Sequence, residues 1–224
     1  CDPTIQEKLL NNRCHYLKKS EEQLSSAEIL RGFKISGIHY GYSHFSPLWF
    51  KKFLTDYSIE SVYDPCGGWG HRMIGLLGTS VKKYIYNDWD SRTVKGVQDI
   101  RQFLGLEGIV EIHNQKAEEW SPSVPIQSIF TCPPYFNKEI YNNKSFKDLG
   151  DFSSWWQKVV SQCLSLNPLY FGVVVDNDHQ EIISSALSSY SLIQEEKLSK
   201  TFMHLSKNSS SLETLLIFKN PLFS

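Results

Sequence analysis

The sequence predicts an α/β domain built on a seven-stranded, mostly parallel sheet that closes with an antiparallel C-terminal hairpin, preceded by a helical N-terminal extension. Three observations lead there. From residue 61 onward, strand-like and helix-like segments alternate, the pattern of crossover units on a parallel sheet. The segment "LYFGVVVD" (residues 169–176) is apolar without alternation, as a strand buried on both faces must be. The chain closes with two strand-like runs, "SLIQEEKLS" and "ETLLIFKN", across a polar, serine-rich connection (residues 206–211) that reads as a hairpin.

Taken in order, "IQEKLLNNRCHYLKK" and "SAEILRGF" carry helical patterns, the second with Ser26 as its cap. "GIHYGYSHFSP" has the glycine, serine and aromatic content of an ordered loop. "LWFKKFLTDY" is helical, with its aromatics on one face and its lysines in solvent. "SVYDP" is a short strand, "CGGWG" a glycine turn, and "HRMIGLLG" a helix ending at Gly78, opened by His71 and with Arg72 on its surface. "KKYIYND", "IVEIHN" and "IQSIFTC" are the second, third and fourth strands, with "RTVKGVQDIRQFLG" a helix after the second. Helices follow at residues 155–166 and 179–189, and the tryptophans Trp155 and Trp156 pack the first of them onto the sheet. The division expected is residues 1–46, N-terminal helices and a ligand-side loop, and residues 47–224, one α/β domain.

With 41% hydrophobic and 13% aromatic residues, the chain has ample material for a core. Its formal net charge of -1 argues against a strongly basic, non-specific nucleic-acid binder, although a local basic stripe would be hidden in the sum. No apolar run is long enough to span a membrane and no signal-peptide pattern opens the chain. The five cysteines form no CxxC pair and are odd in number, which indicates neither a zinc site nor a disulfide framework; a reducing, cytoplasmic setting is the expectation. "DNDH" (residues 176–179) holds one histidine with no second ligand cluster, so its acids are read as caps of the next helix and no metal is expected.

The chemistry concentrates at strand ends. In "VYDPCGGWGHR" (residues 62–72), Asp64, Pro65, Cys66, Gly68 and Gly70 form a glycine turn between a strand and a helix. There the backbone can approach a ligand closely, and the acid at the strand tip suits a cationic group better than a phosphate. A second acid, Asp88, ends the next strand where a carboxylate accepts from ribose hydroxyls, and Trp89 beside it offers a face to a purine. In this order the residues resemble the class I S-adenosylmethionine-dependent methyltransferases, at motif level over residues 63–136 and by order of elements over almost the whole chain. The resemblance implies a Rossmann-like fold and S-adenosylmethionine as cofactor. Phe45 and Ser46 of "HFSP" would then hold the methionine end of the cofactor. In "HNQKAEE", Gln115 or Lys116 stands near the position where the family usually has an aspartate for the adenine amine, an aspartate missing here, and the resemblance implies Lys116 and Ala117 as cofactor-binding residues.

The fourth strand leaves through "TCPPYF" (residues 131–136). Two prolines remove two backbone donors and fix φ, so the turn is rigid. It resembles the [DNS]-P-P-[YFW] motif of methyltransferases that modify exocyclic amines, the N6-adenine and N4-cytosine DNA enzymes of restriction-modification systems among them. An exocyclic amine shares its lone pair with the ring and is a poor nucleophile. The resemblance implies that acceptors from the first side chain and from the first proline's carbonyl bind both amine hydrogens and localise that pair. Here Cys132, Pro133, Pro134 and Tyr135 make up the catalytic turn, with Tyr135 stacking the base and Phe136 as a second apolar wall. Cys132 departs from the motif, since a thiol is a weak acceptor where the family has Asp, Asn or Ser. A nucleophilic role for it, as in cytosine C5 enzymes, would need the opposite order, proline before cysteine; a buried structural thiol is the other alternative. Glu139 and Tyr141 in "FNKEIYNN" are either part of a lid over the base pocket or a solvated loop.

These features imply methyl transfer to an exocyclic base nitrogen, adenine N6 in DNA first and cytosine N4 next, with DNA ahead of RNA as the polymer partner. No sizeable target-recognition domain is evident, so specificity would come from short loops and the N-terminal helices, or from a separate specificity subunit or domain. The rival expectation is a catalytically silent methyltransferase-fold subunit that binds nucleic acid or a partner chain, a reading favoured by Cys132, by the balanced charge and by the missing aspartate.

Overall fold

The computed structural model describes residues 46–136, 146–198 and 213–223, together with residues 17, 18, 20 and 23. The chain divides into two units, Cys1–His44 and Phe45–Ser224. The first lies almost wholly outside the described residues, as do the helices expected there, Phe45, Glu139 and Tyr141. All elements below belong to the second.

The elements run α1 (Pro47–Asp56), β1 (Ser61–Asp64), α2 (His71–Ile74), β2 (Lys83–Asn87), α3 (Ser91–Phe103), β3 (Val110–His113) and β4 (Ser128–Thr131). They continue with α4 (Leu149–Leu164), β5 (Tyr170–Asp176), α5 (Gln180–Ala186), β6 (Ser191–Leu198) and β7 (Glu213–Lys219). The seven strands form one sheet in the order β3-β2-β1-β4-β5-β7-β6. Strands β3, β2, β1, β4 and β5 are mutually parallel, while β7 runs antiparallel to both β5 and β6. The terminal hairpin is therefore present, but its second strand is inserted next to β5 and its first becomes the sheet edge. That arrangement suits the sequences. Strand β7 is buried along its centre, as an internal strand must be, whereas β6 alternates exposed and half-buried residues and carries an irregularity between Leu192 and Gln194.

Alternation along each strand divides the core into two layers. On one face, Phe50, Phe53 and Leu54 of α1, Met73 of α2, and Val94 and Val97 of α3 cover Val62, Tyr84, Tyr86, Phe130, Val174 and Ile217. On the other, α4 and α5 cover Tyr63, Ile85, Ile129, Phe171, Val173, Val175 and Leu216, with Trp156 fully buried and edge-on to Phe171. Trp155 is only half-buried and donates its indole N–H to Glu118 at 3.0 Å.

The helix starts follow their local chemistry. Pro47 opens α1, where its missing N–H costs nothing. The Asp90 side chain caps α3 by accepting from the Arg92 amide, and Asp148 caps α4 by accepting from the Asp151 amide. Because Asp148 caps it, α4 begins at Leu149, ahead of the expected Trp155. Helix α2 is a single turn, shorter than the periodicity of "HRMIGLLG" predicts, and the chain after Ile74 continues as turns. At the end of β5, Asp176 caps as expected, its carboxylate accepting from the His179 amide.

Phe130 ties the first layer together, with its ring centroid 4.9 Å from Phe50 and 5.0 Å from Phe53. Truncating this fully buried ring in Phe130→Ala is expected to destabilise the domain by about 3–5 kcal/mol. Urea unfolding followed by far-UV circular dichroism measures this, and a loss below about 1 kcal/mol would mean the layer is not packed as described.

Candidate active site

The parallel strands β2, β1 and β4 are neighbours, so the turns that leave their C-terminal ends share one edge of the sheet. Between β1 and β4 the strand order reverses direction, the place where open α/β sheets form a crevice at their carboxyl ends.

The first turn leaves β1 at Asp64 and enters α2 at Gly70, whose φ of +82° is left-handed. The Gly67 amide donates to the Asn87 carbonyl at 2.8 Å, the Gly68 amide to Asp88 Oδ2 at 3.0 Å, and the Tyr86 hydroxyl to the Gly68 carbonyl at 2.5 Å. The turn lies so close to β2 that a Cβ on Gly67 would stand 2.0 Å from the Tyr86 ring, whereas one on Gly68 would meet nothing within 4 Å. Gly67 thus fastens the turn to the sheet, and Gly68 faces open space. Sequence reasoning singled out Gly68 and Gly70; the adjacent glycine was the signal for Gly67.

Asp64 has partners within the chain. It is fully buried, and its carboxylate accepts from Arg72 Nε at 2.5 Å, from Arg72 Nη2 at 3.2 Å and from the Tyr84 hydroxyl at 2.7 Å. Arg72 is itself buried, not on the helix surface as expected, and Nη2 also donates to the Cys66 carbonyl. The reason is electrostatic: a carboxylate enclosed at the strand tip requires a cation, and the one-turn α2 places Arg72 within reach. Arg72 thus neutralises Asp64 from within the chain. Pro65 is buried, Cys66 is half-buried, and burial pushes the Cys66 thiol well up from its ordinary pKa, with Asp64 and Asp88 adding to the effect, which keeps it protonated.

Asp88 ends β2 half-buried. Its Oδ2 accepts from Gly68 and its Oδ1 from the Asp90 amide at 2.9 Å. Burial raises its pKa against these two bonds, so further hydrogen-bond donors would stabilise the ionised form. A carboxylate has about four acceptor positions, which leaves capacity for a diol beyond the two amides. Trp89 beside it is 41% exposed and Trp69, in the glycine turn, 47%. Trp69 was not anticipated; its place between Gly68 and Gly70 is the only signal for it.

Asn87, also unanticipated, is fully buried and joins three strand ends. Its Nδ2 donates to the Pro65 and Gln115 carbonyls at 3.2 and 3.1 Å, and its Oδ1 accepts from the Gln115 amide at 3.0 Å. Of the pair expected after β3, Ala117 is buried in the core, and Lys116 is exposed with its ammonium 2.7 Å from Glu119. Ser46 is half-buried and precedes α1, its carbonyl accepting from the Trp49 amide at 3.2 Å.

The Cys132-Pro133-Pro134-Tyr135 turn leaves β4 on the same edge. Cys132, Pro134 and Phe136 are half-buried, and Pro133 is buried. Tyr135 is only 9% exposed and is held from several sides. Its hydroxyl lies 3.3 Å from Cys132 Sγ and donates to Glu213 Oε1 at 3.4 Å, while the His179 ring stacks on it at 6.1 Å and 12°. His179 is fixed by an Nδ1 contact with Asp176 and lies edge-on to Phe136. Among the described residues no cluster of His, Cys, Asp and Glu could hold a metal ion, and no helix is long and apolar enough to cross a membrane.

Removing the buried cation should expose the dependence of the first turn on it. Arg72→Met leaves Asp64 enclosed without its cation and is expected to cost about 3–5 kcal/mol in urea unfolding, with much of the loss recovered in Asp64→Asn/Arg72→Met. A single variant as stable as the wild type would contradict the pairing.

No protein-family model and no curated protein matches the sequence. Solved structures do. TrmN from Thermus thermophilus superposes with a TM-score of 0.60 at 14% identity, over 86% of this chain and 53% of that one, so this chain spans about half the length of TrmN. An rRNA methylase from Streptococcus thermophilus gives a TM-score of 0.56 at 11% identity, over 80% of this chain and 99% of the other. Magnesium protoporphyrin IX methyltransferase from Synechocystis PCC 6803, with bound S-adenosylmethionine, gives 0.56 at 10% identity, over 88% and 85%. The strand order, the mixed sheet and these superpositions together establish that the described residues from 46 to 223 adopt the Rossmann-like fold of the class I methyltransferases.

Proposed function

We propose that this chain transfers the methyl group of S-adenosylmethionine to an exocyclic amino nitrogen of a nucleic-acid base. One observation carries the reading: the glycine turn, the Asp88 carboxylate that binds its Gly68 amide, and the Cys-Pro-Pro-Tyr turn lie on adjacent strand ends around the reversal in strand order. The fold alone does not choose a substrate, since its structural neighbours include both an rRNA methylase and a porphyrin methyltransferase. The substrate class rests on the Cys132–Tyr135 turn. Adenine N6 in DNA, with cytosine N4 next, is the narrower form of the proposal; the rRNA methylase among the neighbours puts RNA beside DNA.

The residues present fit the cofactor: Gly68 faces open space, Asp88 retains acceptor capacity, and Trp89 is exposed next to it. When bound, S-adenosylmethionine supplies a methyl group activated on a sulfonium. Asp88 would accept from its ribose hydroxyls and Trp89 would offer a face to its adenine. The Asp64–Arg72 pair beneath holds the turn in shape. At the other turn, the two prolines present the Pro133 carbonyl rigidly as one acceptor for the substrate amine, and Cys132 provides the second. With one face of Tyr135 covered by His179, the half-buried Phe136 is the more open apolar wall for a base.

A second reading has an observation of its own. The near-complete burial of Tyr135, the residue expected to stack the base, favours a catalytically silent chain that binds nucleic acid or a partner through the same fold. Specificity from a separate subunit or domain is compatible with either.

Two measurements test the proposal. DNA and RNA of varied sequence, incubated with the protein and methyl-labelled cofactor and digested to nucleosides, should yield a labelled N-methyl base by mass spectrometry. Cofactor binding with no labelled base on either polymer would favour the silent reading. Calorimetry should show S-adenosylmethionine binding that weakens at least roughly tenfold in Asp88→Ala, because charge-assisted bonds to the ribose, worth about 1.5–3 kcal/mol each, are lost. Unchanged affinity would remove Asp88 from the cofactor site.

A further inference from the structure

The turn after β4 continues into a chain of touching rings that the chemistry above does not use. Phe136 meets His179 edge-on with ring centroids 6.4 Å apart, and His179 meets Phe152 edge-on at 5.1 Å. Phe152 in turn lies 5.2 Å from Phe146 and 6.1 Å from Trp155, and those two rings are 5.3 Å from each other. Exposure divides the group. His179 and Phe152 are 3% and 0% exposed, whereas Phe136, Phe146 and Trp155 are half-buried. The inner two rings are a floor, and the outer three reach the surface above it.

The outer rings are also held. Trp155 lies one turn after Phe152 on α4 and donates its indole N–H to Glu118 at 3.0 Å, and Phe146 stands two residues before the Asp148 cap of that helix. A ring fixed in this way can take a flat partner with little further loss of side-chain freedom.

The charges nearby select the partner. Lys147 follows Phe146, and Lys158 lies one turn after Trp155. Both are exposed, and among the described residues neither ammonium is in an ion pair. The neighbouring acids are engaged, Asp148 and Asp151 with backbone amides at the start of α4 and Glu118 with Trp155. The field is therefore mixed, which argues against a grip on the phosphates of a duplex and suits a partner recognised by its flat faces with a few phosphate contacts. A duplex hides the faces of its bases within the stack, and an unpaired strand presents them.

We propose that Phe136, Phe146 and Trp155 form a stacking surface for unpaired nucleic-acid bases, over which a single strand leaves the substrate turn, with Lys147 and Lys158 meeting its phosphates. The inference rests on the nucleic-acid part of the proposed function and does not require methyl transfer.

Fluorescence anisotropy with short labelled single strands of DNA and of RNA, and with a DNA duplex, tests it. The wild type should bind a single strand more tightly than the duplex. Phe146→Leu and Trp155→Ala should each weaken that binding roughly five- to hundred-fold, with S-adenosylmethionine affinity unchanged by calorimetry, and Phe146→Tyr should retain it. Two phosphate contacts predict a slope of about −1.4 for log affinity against log salt concentration, flattened in Lys147→Ala/Lys158→Ala. Binding of one polymer only, with the same dependence on the rings, supports the surface and names the polymer. Single-strand binding unchanged in Phe146→Leu and Trp155→Ala overturns the inference; if Trp155→Ala does not fold, Phe146→Leu decides alone. A wild type that prefers the duplex overturns it too, as does one that binds no strand, which would leave these rings to a protein partner. Ring-dependent binding without methyl transfer would refute the function and leave the surface standing. Methyl transfer at wild-type kcat/KM in both ring variants would refute the surface and leave the function standing.

Discussion

The buried ion pair between Asp64 and Arg72 is the constraint on which the site depends. Both side chains are almost wholly out of water, where an unpaired charge is very costly, so neither can leave without the other. Around them Tyr84 donates from β2 and the Cys66 carbonyl accepts from Arg72, so one charge pair fixes the tip of β1, the start of α2 and the facing strand. The glycine turn lies over this cluster, tied by the Tyr86 hydroxyl and by Asp88. A loop with this many glycines would otherwise sample many backbone conformations, and the enclosed pair together with the β2 side chains limits it to one.

Sheet topology then brings the second turn alongside. Because β4 pairs with β1 on the side away from β2, the Cys-Pro-Pro-Tyr turn emerges next to the glycine turn and not across the sheet. The insertion of β7 beside β5 brings Glu213 to the same edge, where with His179 it fixes Tyr135. Each turn is thus stabilised by an acid beneath it, the first by Asp64 at the end of its own strand and the second by Glu213, far away in sequence. The residues left with open space or acceptor capacity, Gly68 within the first turn and Asp88 at the end of β2, lie on this same edge of the sheet.

Much of this was legible in the sequence because it depends on local patterns. Period-two and fully apolar runs mark strands whatever their partners, and β5 was read with bounds close to those observed. Proline and acidic caps mark helix starts, although the reading of α4 from its tryptophans passed over Asp148 and began too late. What escaped is non-local. A helical period in "HRMIGLLG" cannot show that the helix ends after one turn. Nothing adjacent to Arg72 reveals that it turns inward to Asp64 and Tyr84, which come from two strands. Nothing near Glu213 or His179 indicates that they meet Tyr135. Asn87 likewise reads as a strand end, and only the sheet order shows that it joins the loops after β1 and β3. Residues whose role is to face a neighbour along the chain were found; those whose partner is set by topology were not.

The central claim is that the edge formed by the glycine turn and Asp88 is a cofactor site supported by an enclosed ion pair. Diffraction from crystals grown with S-adenosylhomocysteine tests it most directly. The account predicts ribose hydroxyls on the Asp88 carboxylate, the ligand backbone-close to Gly68, and Arg72 still paired with Asp64. Ligand density elsewhere on the chain, or an Asp64 that has released Arg72 to bind the ligand's amino group, would contradict it.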